Sequence, residues 1–283
     1  MTLKTTIKNL IKKYDLRINK LMGHNFLINP RVLQKIIETA DLKNDIVLEV
    51  GPGLGTLTQE LAKKAKKVIA VEKDKQMNEV LKETLKDFDN IEIVEGDILK
   101  ILKQKPSILK NSKYKVVANI PYYLTSPLIR MLLESDNPPE EIVLMIQKEV
   151  AQRITAQPPK MNLLAISVQF YAQPKTISYI SKASFWPEPK VDSAIIRITP
   201  HPSVILRAKP EESHQRFFKI VKAGFSSPRK QLANNLSEKL KIDKEKIKTA
   251  LAECELNPQA RAESLNVEDW KKLSSDLIFQ DQN

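Results

Sequence analysis

The chain of 283 residues has few of the residues that build covalent or metal frameworks. Its only cysteine is Cys254, which excludes a disulfide framework and a cysteine-based metal site. The three histidines show no metal-ligand spacing, so we predict a metal-free protein. No apolar run is long enough to cross a bilayer, and no signal-peptide pattern is present. These absences predict a cytoplasmic protein without a membrane segment.

Acidic residues are also in short supply relative to basic ones. The chain has 46 lysines and arginines against 34 aspartates and glutamates, a formal net charge of +12. This excess favours a polyanionic partner, although a generally lysine-rich organism would produce the same balance. Near the start of the chain, apolar residues at helical spacing are interleaved with Lys4, Lys8, Lys12, Lys13, Arg17 and Lys20. We predict a basic N-terminal helix or arm there.

Strand-like apolar runs alternate with helical patterns through most of the chain. The runs span residues 46–50, 68–71, 91–94, 114–118, 141–146, 164–171 and 194–198. This alternation predicts a doubly wound, mostly parallel α/β sheet. Pro200, Pro202 and Pro210 then interrupt the pattern, and only helical segments follow. We predict an α/β domain over residues 1–200 and a small all-helical domain over 201–283.

A glycine-rich turn follows the first predicted strand. Gly51, Gly53 and Gly55 have the spacing Gly-x-Gly-x-Gly, which lacks the longer gap of the dinucleotide fingerprint. Glu49 precedes them, and an anion there would repel a pyrophosphate but would suit a cationic sulfonium amino acid. The turn therefore favours S-adenosylmethionine over a nicotinamide dinucleotide.

Polar side chains also follow the next strands. Glu72 ends the second strand, roughly 20 residues beyond the glycines, where an acid can accept hydrogen bonds from ribose hydroxyls. Asp97 follows the third strand and is placed to accept from an adenine amine. Each acid alone is more often a helix cap or a surface carboxylate. The ordered set favours one cofactor site, because ligands of such sheets bind at the carboxyl ends of the strands.

The fourth strand runs into the sequence Asn119-Ile-Pro-Tyr-Tyr123, which suits a planar substrate that carries an amine. The Asn119 side-chain oxygen and a backbone carbonyl fixed by Pro121 can both accept from an exocyclic –NH₂ group. The ring of Tyr122 can stack on a base. A simple turn explains these five residues about equally well, and it is the upstream cofactor pattern that favours an adenine site.

Seven short motifs together resemble those of one known family. They are Gly23-His-Asn-Phe-Leu27, Glu49-Val-Gly-Pro-Gly53, Val71-Glu72, Gly96-Asp97, Asn119-Ile-Pro-Tyr122, Gln147-Lys-Glu-Val150 and Phe185-Trp-Pro-Glu-Pro-Lys-Val-Asp192. Over nearly its full length the chain resembles the small-subunit rRNA adenine N6,N6-dimethyltransferases (the KsgA type). The resemblance implies a Rossmann-like class I methyltransferase sheet, S-adenosyl-L-methionine as cofactor and a helical C-terminal domain that recognises RNA.

The same resemblance implies roles for individual residues. Cofactor contacts are implied at Asn25, Leu27, Gly51, Glu72, Asp97 and Asn119. The target adenine would be held by Asn119, Pro121 and Tyr122, with Phe185 stacked on its other face. The implied reaction is dimethylation of N6 of two adjacent adenosines in the 3′-terminal hairpin of 16S rRNA. A monomer would carry it out within the assembling 30S particle.

The chain departs from the family pattern at two places near these motifs. His24 stands where the family usually has Gln, and Leu163-Leu164 replaces a common Tyr-Gly pair. For Phe185 a purely structural role in the core is the alternative to stacking. On the stacking hypothesis, Phe185→Ala slows methyl transfer without a large loss of thermal stability.

Other functions share parts of the pattern. A large-subunit rRNA adenine methyltransferase of the macrolide-resistance type has the same fold, glycine turn and Asn-aliphatic-Pro-Tyr motif, but the stretch ending at Asp192 favours the small-subunit enzyme. A ribosome-assembly factor with reduced catalysis is disfavoured by the intact Glu72, Asp97, Asn119 and Tyr122. DNA adenine methyltransferases tend to have Asp at the position of Asn119.

Overall fold

The computed structural model describes residues 2–18, 23–104, 109, 112–205 and 212–279, so the predicted arm residue Lys20 and Pro210 lie outside the described residues. The chain divides into two compact units. The first comprises Met1–Ala151 and Ala172–Leu206, and the second Gln152–Tyr171 and Arg207–Asn283. Residues 152–171 thus group with the C-terminal helices, although the sequence pattern assigns them to the α/β domain.

The strands of the chain all belong to the first unit as far as it is described. They are β1 (Phe26–Leu27), β2 (Ile46–Val50), β3 (Lys67–Glu72), β4 (Ile91–Glu95), β5 (Tyr114–Asn119), β6 (Glu141–Gln147), β7 (Ala172–Ile180), β8 (Phe185–Trp186) and β9 (Ser193–Pro200). Seven of them form one sheet in the order β4-β3-β2-β5-β6-β9-β7. Strands β2 to β6 are parallel, and β9 and β7 pair antiparallel at one edge. The prediction of a doubly wound, mostly parallel sheet is confirmed.

Helices accompany the strands of this unit. They are α1 (Leu3–Lys13), α2 (Pro30–Ala40), α3 (Thr56–Ala62), α4 (Lys75–Thr84), α5 (Ile98–Gln104), α6 (Thr125–Leu133), α7 (Lys148–Ile154), which continues into the second unit, and α9 (Pro202–Ile205). Burial along strand β5 indicates that the sheet is covered on both faces, because its residues Val116, Val117 and Ala118 are all fully buried. The predicted N-terminal basic helix is confirmed as α1, which buries Ile7.

The predicted strand over residues 164–171 is wrong. These residues form the helix α8 (Leu163–Gln169), whose start is capped by the Asn162 side chain accepting from the N–H of Ala165 at 3.1 Å. A short apolar run does not by itself distinguish a strand from a buried helix. The strand that follows is β7, which the sequence pattern does not reveal because its residues are mostly polar and only partly buried.

The second unit is all helical in its described residues, as the sequence predicts. Besides α8 it contains α10 (Glu212–Gly224), α11 (Leu232–Leu240), α12 (Lys244–Glu253) and α13 (Val267–Phe279). Its core is built around the fully buried Trp270, with Val221, Leu236 and Leu251 in the same apolar cluster. Among the described helices of the chain, none is both long and apolar enough to span a bilayer.

Candidate active site

One cleft of the first unit contains every residue that the sequence predicts for a site. It lies at the carboxyl ends of the parallel strands, where ligands of such sheets bind. Its lining includes Asn25, Leu27, Glu49, Gly51, Gly53, Glu72, Asp97, Asn119, Pro121, Tyr122 and Phe185. The fold therefore gathers residues that are far apart in the chain.

The glycine turn after β2 packs closely against the Asn-Ile-Pro-Tyr segment. Gly51 and Gly53 have φ angles of +68° and +58°, which only glycine adopts without strain. A Cβ atom on Gly51 would lie 3.3 Å from Cδ of Pro121, and one on Gly23 (φ +78°) would lie 2.9 Å from Cβ of Pro121. Two backbone segments thus approach Pro121 closely: a side chain at Gly23 would require Pro121 to shift, and one at Gly51 would be tightly packed against it. The sequence contains Gly23 in a motif but does not reveal this contact.

Glu72 is held in place by backbone donors. Its Oε2 accepts from the N–H of Gly53 at 3.0 Å, and its Oε1 accepts from the N–H of Asp74 at 2.9 Å. Burial raises the pKa of Glu72, and these two bonds oppose that rise. A carboxylate has about four acceptor positions, so Glu72 can accept further bonds from a ligand in the cleft.

Asp97 is a charged acceptor at the start of α5. Its Oδ1 accepts from the N–H of Leu99 at 3.0 Å, and its Oδ2 pairs with Nζ of Lys73 at 3.0 Å. Partial burial alone would raise the pKa of Asp97, but the hydrogen bond and charge of Lys73, together with the backbone N–H groups of Leu99 and Lys100, outweigh it and hold the pKa below its usual value. A ligand amine that bonds to Oδ2 would share it with Lys73.

Glu49 is the most deeply buried acid of the cleft, with 1% of its surface exposed. Its Oε2 has no hydrogen-bond partner among the described residues. Burial raises the pKa of Glu49 to about 8; the hydroxyl of Thr58 opposes this rise, and the nearby charge of Glu72 adds to it. A buried carboxyl oxygen without a partner is costly unless a ligand supplies one, so this position suits a cationic group.

The segment after β5 offers two hydrogen-bond acceptors to the cleft. Neither the Asn119 side chain nor the Ile120 carbonyl is hydrogen-bonded to the described residues, and both residues line the cleft. The turn that follows is fixed by the Leu124 N–H, which donates to the Pro121 carbonyl at 3.0 Å. The hydroxyl of Tyr122 is 2.9 Å from Oγ of Ser193, a partner that the sequence does not indicate.

Phe185 has a place both in the core and in the cleft. The short strands β1 and β8 pair antiparallel, with Leu27 opposite Phe185. Phe185 is only 3% exposed and belongs to an apolar cluster with Leu27, Val117 and Met145. It also lines the cleft. The alanine variant alone therefore does not separate stacking from core packing.

His24, one of the two departures from the family pattern, also lines the cleft. Its Nε2 lies 3.6 Å from Oδ2 of Asp74, whose other oxygen caps the start of α4 by accepting from the N–H of Gln76. Burial lowers the pKa of His24, and the charge of Asp74 opposes this. The second departure, Leu163-Leu164, lies in α8 of the second unit.

The fold and the cleft together define a class I S-adenosylmethionine-dependent methyltransferase. The defining features are the parallel sheet with its antiparallel edge pair, the glycine turn after β2 and the acids after β3 and β4. A family model described as "Ribosomal RNA adenine dimethylase" matches residues 15–278, and the chain belongs to this family. Its members use S-adenosylmethionine as methyl donor.

Individual relatives agree with this assignment. The chain is 43% identical to "Ribosomal RNA small subunit methyltransferase A" of Dehalococcoides mccartyi over 94% of its own length and 90% of that protein. It is 40% identical to the protein of that name in Clostridium botulinum, over 96% and 98% of the two chains. Among solved structures, a dimethyladenosine transferase from Plasmodium falciparum is similar with a TM-score of 0.75, 30% identity and coverage of 91% and 98%. The 23S rRNA methyltransferase ErmE is similar with a TM-score of 0.72, 28% identity and coverage of 90% and 100%.

Proposed function

We propose that this enzyme dimethylates N6 of two adjacent adenosines in the 3′-terminal hairpin of 16S rRNA, and that it thereby takes part in small-subunit biogenesis. The observation that carries the proposal is the pair of acceptors that no described residue occupies, the Asn119 side chain and the Ile120 carbonyl, beside the glycine turn in one cleft. The names of the curated relatives support the small subunit as the source of the RNA. The enzyme acts as a cytoplasmic monomer on the assembling 30S particle.

The cofactor fits the polar groups of the cleft. S-adenosylmethionine supplies an electrophilic methyl group on a positively charged sulfur. The Glu49 carboxyl, whose Oε2 has no partner among the described residues, lies where it can face the cationic amino-acid end of the cofactor. The turn at Gly51 and Gly53 has no side chains that would obstruct this end. Glu72 accepts from the ribose hydroxyls and Asp97 from the adenine amine. Asn25 and Leu27, on the segment that closes the cleft before α2, complete the contacts.

Asn119 and Ile120 act on the target amine. The N6 lone pair of adenine is delocalised into the ring and is a poor nucleophile. When the Asn119 oxygen and the Ile120 carbonyl accept both amine hydrogens, a pyramidal nitrogen is favoured, and the same acceptors stabilise the positive charge that develops on it. Once the methylated nitrogen has released a proton to solvent, one N–H remains to donate, so the second transfer proceeds with one of these two bonds.

Pro121, Tyr122 and Phe185 hold the target base. The base must leave its stack to enter the cleft, and aromatic side chains hold such extruded bases. Tyr122 is anchored through its hydroxyl to Ser193, and Phe185 is fixed in the core, so both rings are already oriented in the free protein. Such alignment of the reacting atoms can contribute roughly 7–11 kcal/mol to the lowering of the barrier.

The direct test is methyl transfer from labelled S-adenosylmethionine to unmethylated small and large ribosomal subunits, followed by nucleoside mass spectrometry of each RNA. We expect dimethyladenosine in the small-subunit RNA alone. Label in large-subunit RNA instead would identify the enzyme as one of the ErmE kind, whose structure is also similar. Cofactor binding without transfer to either subunit would favour an assembly factor. The Asn119→Ala variant is the control: any methyl transfer that it still catalyses does not depend on the proposed site.

A further inference from the structure

Tyr123 is the most exposed aromatic residue that lines the cleft. The described chain exposes three large apolar or aromatic side chains strongly: Tyr123 at 53%, Tyr179 at 52% and Val191 at 43%. Exposed aromatics that are scattered singly need no explanation. Tyr123 differs from the other two because it lines the cleft, directly next in sequence to a residue proposed to hold the target base.

The local backbone turns two consecutive tyrosines in different directions. Residues Tyr122–Leu124 form one turn of 3-10 helix, in which successive side chains point about 120° apart. Tyr122 is directed to Ser193, Leu124 is buried, and Tyr123 is left at the rim of the cleft. The turn is rigid, because the Leu124 N–H donates to the Pro121 carbonyl and the Thr125 hydroxyl donates to the Tyr122 carbonyl, both at 3.0 Å.

A positive charge accompanies the ring. Lys73 follows Glu72 at the end of β3 and also lines the cleft. Its ammonium pairs with Asp97 at 3.0 Å, and Lys73 and Tyr123 line the same cleft. Sites for single-stranded nucleic acid combine such exposed aromatic rings with nearby cations, because every base has a face on which a ring can stack.

We infer that Tyr123 is the platform on which the nucleotide next to the target adenosine stacks. This inference rests on the proposed function, because it requires an RNA substrate whose target base enters the cleft. Extruding that base removes a stacking partner from its neighbour, which is tethered at the mouth of the cleft by one phosphodiester link. The ring of Tyr123 replaces the lost partner. It is therefore a positioning residue, which contributes to RNA binding rather than to the methyl transfer itself.

The test compares variants of two equally exposed tyrosines. Tyr123→Ala is expected to raise KM for the small-subunit substrate by roughly 5- to 100-fold, the range expected for one base stacked on one aromatic ring, with a smaller effect on kcat. Tyr123→Phe keeps the ring and is expected to behave as wild type. Tyr179→Ala is the matched control: Tyr179 is as exposed as Tyr123 and also has a lysine nearby, Lys148 at 5.2 Å, but it does not line the cleft.

A spectroscopic measurement reports on stacking directly. The fluorescent base 2-aminopurine, placed next to the target adenosine on either side in a hairpin RNA, is expected to be quenched by the wild type at one of the two positions. Tyr123→Ala should lose this quenching, while its S-adenosylmethionine Kd and its Tm stay unchanged.

Three results would overturn the inference: a KM for Tyr123→Ala within twofold of wild type, an equal effect of Tyr179→Ala, or failure of Tyr123→Phe to retain binding. If the wild type itself transfers no methyl group to small-subunit RNA, the proposed function fails instead. Failure of the proposed function is distinguishable from the three results above, because it is seen with the wild type before any variants are compared.

Discussion

Asn119 ends β5 with a side chain that no described residue uses as a hydrogen-bond partner. Replacing it therefore removes an interaction with the ligands and leaves no buried partner unpaired. We expect Asn119→Ala to bind S-adenosylmethionine detectably in calorimetry and to lose transfer almost completely, because one of the two acceptors for the amine is gone. Its Tm should match the wild type. Wild-type turnover in this variant would contradict the proposed grip on the amine.

The raised pKa of Glu49 predicts how cofactor binding depends on pH. Its pKa of about 8 means that the acid is mostly protonated at neutral pH in the free protein, whereas a cationic ligand favours the carboxylate. Binding then requires loss of a proton below pH 8. We expect the Kd for S-adenosylmethionine to fall as the pH rises from about 6.5 to 8 and to level off above that.

The stability of the free protein should show the opposite trend. The pKa of Glu49 is raised in the folded state, so its contribution to stability is fully present below the unfolded pKa and is lost as the pH rises through about 8. Glu49→Gln removes this titration, so the Tm of wild type should decline relative to that of the variant between about pH 4.5 and 8. Parallel curves for the two proteins, in both Tm and cofactor Kd, would exclude Glu49 as the titrating group.

Phe185 requires two substitutions, because it is buried in the core as well as in contact with the cleft. Phe185→Ala leaves a cavity and should lower the free energy of unfolding by about 3–5 kcal/mol, so its loss of activity is ambiguous. Phe185→Leu keeps most of the volume and should cost less than about 1.5 kcal/mol. It is expected to retain the fold and to slow transfer at least tenfold, since the stacking face is lost. Near-wild-type kcat/KM in Phe185→Leu would assign Phe185 to the core alone.

Helix α1 joins the cleft wall to a basic surface. Its buried Ile7 packs in one cluster with Phe26, Leu54 and Met77, which line the cleft. The solvent-exposed surface of the helix carries several lysines. Lys13 pairs with Glu83, whereas Lys4 and Lys12 form no ion pair with any residue that the structure describes. These two lysines are therefore available to RNA phosphates.

Removal of both lysines is expected to change the salt dependence of RNA binding. Each phosphate contact contributes about 0.7–0.9 to the slope of log K against log salt, so Lys4→Ala with Lys12→Ala should reduce that slope by roughly 1.5. Fluorescence anisotropy of labelled small-subunit RNA at several salt concentrations measures it. Lys64→Ala with Lys66→Ala removes the same charge just before β3, at the sheet edge opposite the cleft, and should leave the slope nearly unchanged. Equal slopes for the two double variants would show that α1 contacts no phosphate.

At the scale of the whole molecule, the cofactor site belongs to one of the two units. All residues that line the cleft belong to the first unit. S-adenosylmethionine should slow amide hydrogen exchange in the glycine turn, around Asp97 and in residues 119–124, where exchange occurs by local opening of the cleft. At 100 times its Kd, the cofactor should raise the free energy of that opening by up to about 2.7 kcal/mol. The amides of α10 to α13 should not respond. Methionine at the same concentration is the control ligand, and protection of α10 to α13 by the cofactor would contradict a site built from one unit.

The order of the elements around the cleft is readable from the sequence because it depends on local signals. Predicted strands such as 46–50 and 114–118 lie within a residue of β2 and β5, since an apolar run buried on both faces ends where polar residues begin. Asn29 and Pro30 likewise mark the start of α2. The same signals fail for α8 and β7, where a capped apolar helix resembles a strand and a half-buried edge strand shows no apolar run.

By itself the sequence determined the fold class, and it placed the glycine turn, Glu72, Asp97 and Asn119 in one cleft, because short motifs at the ends of parallel strands must share one edge of the sheet. The family, and with it Asn25, Leu27 and Phe185, came from the resemblance of motifs instead, since these three residues do not end parallel strands. The tertiary structure alone decided how those residues are held. It brings Gly23 and Gly51 against Pro121, gives Tyr122 a partner in Ser193 and places Phe185 in the core. It also buries Oε2 of Glu49 without a hydrogen-bond partner in the described part of the chain. It also groups residues 152–171 with the C-terminal helices. These features depend on packing between segments far apart in the chain, which no local pattern encodes.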